Sequence, residues 1–157
     1  MRTYLELFKI PGVKRLVISA LPGRLAYGMI ALATFFFVQD KTGSITLAGI
    51  ATGVETIASS LTAGFRGNLI DKWGQTKPLS IFVPSWVAFV IVLSTVSSPA
   101  AIIFVSALIG LSSPPVNLST RPLWRVLVGP ENLRTAYALD TTMSSSTIVA
   151  GPVLATA

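Results

Sequence analysis

Two ionisable residues sit deep inside apolar sequence. Arg24 follows Arg15 by nine residues within the run 16–38, and Glu55 precedes Arg66 by eleven within the run 44–65. If both runs are antiparallel helices crossing a bilayer, both charges lie near its midplane. Their depths then differ by about two residues, roughly 3 Å at helical rise. A charge at the midplane costs about 2.5–3.5 kcal/mol, so it needs a partner or a wet cavity. Two readings follow. Arg24 and Glu55 pair and lock their helices together, or one or both face a cavity and bind a solute or a coupling proton. In a cavity, Arg24 would suit an anionic group.

Other chemistry is absent. The chain has no Cys and no His among 157 residues. Thiol chemistry, disulfides, Cys/His metal sites and His acid–base catalysis are therefore excluded. There is no G-x-x-x-x-G-K-[ST], G-x-G-x-x-G or G-x-S-x-G string, so neither nucleotide binding nor a serine nucleophile has a motif. No cofactor or metal is expected, and an enzyme has no positive support. Asp140 and Glu131 read as acids at a helix start, favoured by the helix dipole. Trp124 beside Arg125 reads as an interfacial anchor. Tyr27, Gln39 and Asn117 are weaker polar candidates.

The elements that must position these groups are apolar. Hydrophobic residues make up 52% of the chain and charged residues 11%, against about 25% charged in soluble domains. Spans are expected at about 16–38, 44–65, 78–97, 100–120 and 135–157, each near the 20 residues that cross about 30 Å of hydrocarbon. The net charge of +6 is not gathered into a nucleic-acid patch, and no nucleic-acid partner is expected. It marks alternate loops instead: Arg2, Lys9, Lys14 and Arg15; Arg66, Lys72 and Lys77; Arg121, Arg125 and Arg134; with Lys41 alone on the opposite side. That asymmetry predicts a cytoplasmic N-terminus. Pro22, Pro84, Pro114 and Pro115 interrupt the apolar runs, which membrane helices tolerate, and Pro114–Pro115 predicts a kink. Gly49, Gly53, Ser60 and Gly64 form a small-residue stripe suited to close helix packing. The run that closes at Ala157 lacks the charges or aromatic anchors that usually finish a span, so a piece of a longer chain is expected.

Residues 66–77 join the second and third spans and read Arg-Gly-Asn-Leu-Ile-Asp-Lys-Trp-Gly-Gln-Thr-Lys. Physically this is a charged hinge with glycines at both ends. The string resembles the signature loop of the major facilitator superfamily, G-x-L-a-D-r-x-G-r-k-x-x-l. Gly67, Leu69, Asp71, Lys72, Gly74 and Leu79 match, whereas Ile70, Gln75 and Thr76 depart from it. The resemblance implies that Asp71 latches a cytoplasmic gate and does not touch substrate. A second signature, G-P-x-x-G-G in the fifth helix of drug–proton antiporters, is met only by Gly151-Pro152. The Arg those antiporters carry in helix 4 is missing between Ala100 and Thr120, so an export antiporter is not supported.

The expected fold is all-α: a polytopic transmembrane bundle forming part of the N-terminal half of the major facilitator fold, helices 1 to 5. The resemblance implies secondary active transport of a small solute by alternating access, with possible proton coupling. It also implies a C-terminal half not present in this chain, and lipid as the surrounding partner. The expected location is the bacterial inner (plasma) membrane. The rival reading is a non-transporting or oligomeric membrane protein that assembles with, or regulates, another.

Overall fold

The structure is a computed structural model that describes residues 2–155, without the side chains of Arg2, Thr3, Asn117 and Leu118. The expectation for Asn117, and that for the chain end at Thr156 and Ala157, lie outside the described residues. Seven helices and no strand are present among the described residues: α1 (Arg2–Leu7), α2 (Val13–Thr42), α3 (Ile45–Trp73), α4 (Thr76–Thr95), α5 (Pro99–Leu111), α6 (Val116–Leu127) and α7 (Pro130–Ala155). The protein is all-α. Helices α2, α3 and α4 are long and apolar enough to cross a membrane. Apolar α5 has only 13 residues.

The breaks have local causes. Gly43 and Gly74 adopt φ of +68° and +71°, a left-handed backbone that residues with a Cβ avoid. Ser44 accepts the Leu47 N–H at 3.1 Å and Ser98 accepts that of Ala101 at 3.2 Å, capping α3 and α5. Pro99 and Pro130 stand at first-turn positions, where a missing N–H costs nothing. Pro114 and Pro115 do more than kink the fourth apolar run. They divide it into α5 and α6, because two successive residues can neither donate to the helix nor clear its preceding turn.

The chain forms two compact units, one of Met1–Met29 with Val116–Ala157 and one of Ile30–Pro115. In the first, Leu7, Val13, Leu16, Trp124, Val128 and Ala136 form the buried core. In the second, Val38, Ala48, Ala51, Leu93, Ile102, Val105 and Ile109 do so. Much apolar surface stays outside: Leu61 is 79% exposed and Val149 72%. Such a surface is a liability in water and is the ordinary exterior of a protein solvated by acyl chains.

Close helix approach occurs at glycines, but not at the expected ones. Gly49, Gly53 and Gly64 have open space where a side chain would stand. A Cβ on Gly110 of α5 would instead collide with the Glu55 carbonyl and the Ala58 side chain of α3. A Cβ on Gly151 of α7 would lie 2.6 Å from the backbone of Gly28 in α2. Small residues earn their place where backbones meet, and the stripe on α3 meets nothing within its unit. Gly110→Val should therefore destabilise the protein by about 1–3 kcal/mol, the usual cost of overpacking, in thermal unfolding in detergent. Gly53→Val should leave the same transition unchanged.

Candidate functional site

In the first unit, α2, α6 and α7 bring together a buried polar network. Arg24 is 3% exposed. Its Nη2 donates to Asp140 Oδ1 at 2.5 Å and to Thr120 Oγ1 at 2.9 Å. Its Nη1 donates to the Asp140 carbonyl at 3.3 Å. Trp124 Nε1 donates to the same Asp140 Oδ1 at 2.8 Å. A guanidinium and an indole thus converge on one carboxylate oxygen, and charge-assisted bonds of this kind are the stronger class. The Arg24–Asp140 contact is the one salt bridge among the described residues.

Three expectations are corrected by this network. The carboxylate against Arg24 is Asp140, not Glu55. Asp140 is no exposed helix-start acid: α7 begins at Pro130, which puts Asp140 ten residues, about 15 Å, along the helix. Trp124 is no interfacial anchor, being 1% exposed with its N–H committed to Asp140. The signal available in the sequence was Pro130 as a helix start, combined with isolated glycines at 28 and 151 that let α2 and α7 meet.

Glu55 belongs to the second unit and has its own surroundings. It is 5% exposed on α3, its backbone pressed by Gly110. Its Oε2 makes no hydrogen bond among the described residues. The Thr34 hydroxyl faces the carboxyl without reaching hydrogen-bond geometry. Glu55 is therefore a buried carboxyl with no ion-pair partner among the described residues.

The segment 66–77 is mostly helical, since α3 continues to Trp73 and the turn is confined to Gly74 and Gln75. Gly67 and Leu69 lie on that last stretch of helix. Asp71, Lys72 and Gly74 are exposed, and Asp71 has no ion-pair partner among the described residues. Arg66, read from sequence as a loop cation, is instead 5% exposed. It donates to the Ser113 carbonyl, to the Ser59 carbonyl at 2.5 Å and to Ser59 Oγ at 3.2 Å. The cation thereby supplies a donor to the Ser113 carbonyl, which lies in the non-helical stretch 113–115 between α5 and α6. Tyr27 is 45% exposed, and Gln39 lines a shallow cavity with Phe36, Asp40 and Gly43. No group of His, Cys, Asp or Glu suited to a metal occurs among the described residues.

Against known proteins, the chain is 32% identical over 158 residues to an uncharacterized MFS-type transporter, y4rN, of Sinorhizobium fredii (strain NBRC 101917 / NGR234). The similarity covers 98% of this chain and 39% of that protein, so the chain spans about two fifths of the length of the relative it matches. It supports an MFS-related family, where MFS denotes the major facilitator superfamily. No family model matches the chain, and no solved structure matches it.

The buried pair makes a measurable demand. Asp140→Asn leaves Arg24 charged and without its counterion, and should cost about 3–5 kcal/mol. The double variant Arg24→Met/Asp140→Leu should cost less than that single change. Thermal unfolding of the three proteins in the same detergent checks the order.

Proposed function

We propose that this chain is the N-terminal, five-span portion of a major facilitator superfamily secondary transporter that moves a small solute by alternating access. In this reading α2, α3 and α4 are the first three spans, α5 with α6 forms the fourth, and α7 the fifth. The observation that carries it is the signature string from Gly67 to Leu79, which falls at the α3–α4 turn. Similarity to an MFS-type transporter over nearly the whole chain supports the same reading.

The residues take different roles. Asp71 is the gate latch: it is exposed at the end of α3 and unpaired among the described residues, which suits a contact with a helix outside this chain. Gly74 sets the sharp turn that holds Asp71 at that end. Glu55 is the candidate carrier of a coupling proton, because no cation neutralises it among the described residues. Arg24 already has a carboxylate partner, so it serves an anionic solute only if that pair opens. The missing second half would supply the other wall of the cavity. A bacterial inner membrane with the N-terminus in the cytoplasm remains part of this proposal, resting on the loop cations.

The test uses the protein expressed from its native reading frame, in inside-out vesicles carrying a pH-sensitive dye and a panel of small solutes. Some solute should give saturable flux. Asp71→Asn should lower that flux by on the order of tenfold, the scale of a conformational coupling of 1–3 kcal/mol. Glu55→Gln should abolish solute-linked proton movement. Absence of saturable flux with the panel, together with a stable native product of about this chain's length, would favour the rival reading of a non-transporting membrane protein.

A further inference from the structure

The first unit holds two adjoining cavities that none of the roles above uses. The first, about 650 Å³, is lined by Arg121, Arg125, Tyr137, Asp140 and Thr141, with the 83% exposed Val126 at its edge. The second is a shallow, open strip on α7 that shares Thr141 and runs past Ser145 to Val149, Val153 and Leu154. Their chemistry changes in order along the helix, from cationic to hydroxylic to apolar.

The cationic end has unspent charge. Asp140 lies in its wall, but that carboxylate is neutralised by Arg24 at 2.5 Å. Arg121 and Arg125 stand four residues apart on α6 and share a face, a placement that is mildly repulsive for like charges. Neither has a carboxylate partner among the described residues. Arg125 Nε donates to the Tyr137 hydroxyl at 3.0 Å. That bond leaves the two terminal nitrogens of Arg125, and the proton of the Tyr137 hydroxyl, free to donate outward. Two guanidinium forks and a phenol are the donor set that suits a phosphate oxyanion. Beyond them, the hydroxyls of Thr141 and Ser145 make no hydrogen bond within the described residues.

We propose that this strip binds an anionic phospholipid: its phosphate between Arg121, Arg125 and Tyr137, its glycerol esters beside Thr141 and Ser145, and an acyl chain along Val149, Val153 and Leu154. A soluble anion would use the first cavity and leave the apolar end of the second empty. A zwitterionic lipid would use the apolar end but add a choline cation beside two arginines. The ordered sequence of donors, hydroxyls and methyl groups matches an anionic amphiphile from head to tail. The assignment rests on the membrane reading and not on transport, since a protein that moves no solute would still bind the lipid.

The test is native mass spectrometry of the protein expressed from its native reading frame, offered phosphatidylglycerol, phosphatidylcholine or inorganic phosphate. Phosphatidylglycerol should be retained in preference to both. Arg121→Gln/Arg125→Gln should weaken its retention by about 25-fold, taking roughly fivefold for each cation near the surface. Arg121→Lys/Arg125→Lys, which keeps both charges but loses the forks, should weaken it less than the glutamine pair does. As a check that needs no variant, a photoreactive phosphatidylglycerol should label wild-type peptides within residues 121–154. Equal retention of phosphatidylcholine, equal binding of inorganic phosphate, or labelling confined to other segments would each overturn the proposal.

Discussion

A buried charge has to be neutralised by something nearby, and in the first unit that constraint decides what stands next to what. Arg24 cannot be left alone on α2, so α7 must bring Asp140 to it. Asp140 has to accept from Arg24 and from Trp124 at once, so α6 must lie alongside. Glycine at 28 and at 151 is what lets α2 and α7 approach. Desolvation makes such a pair a weak source of net stability but an exacting one in geometry, because breaking it strands a buried charge.

The second unit meets the same demand through its backbone. The helix stops at the paired prolines, so the Ser113 carbonyl lies outside regular structure and needs a donor from elsewhere in an apolar setting. Arg66 reaches back along α3 and supplies donors to Ser113 and Ser59. A residue counted among loop cations is thus a fixed part of the interior, and the exposed end of the helix begins after it, with Asp71 and Lys72. The proposed gate contact therefore sits on a helix end whose own anchor is local and buried.

Much of the fold is legible in the amino-acid sequence. Apolar run lengths and the turn glycine at 74 mark element boundaries through local backbone chemistry, which sequence carries directly; the paired prolines at 114 and 115, read as a kink, end one helix and begin another. Pairing of charges was not legible, because it depends on which helices return to which neighbour. Arithmetic on depth along the chain pointed Arg24 toward Glu55 of the next helix, whereas the structure supplies Asp140 from 116 residues away. The small-residue stripe on α3 misled for the same reason: spacing reports that a close approach is allowed, not that a partner occupies it. Trp124 was read from its arginine neighbour, yet α6 turns the indole inward and the guanidinium of Arg125 outward.

A transporter of the proposed kind requires α2 and α3 to cross a bilayer in opposite directions with the N-terminus inside. The absence of cysteine from this chain makes a clean measurement available: single variants Lys9→Cys, Lys41→Cys and Lys72→Cys, labelled in intact cells with a membrane-impermeant maleimide and again after permeabilisation. In that arrangement Lys41→Cys reacts in intact cells, and Lys9→Cys and Lys72→Cys react only after permeabilisation. Labelling of all three positions from the same side would contradict it.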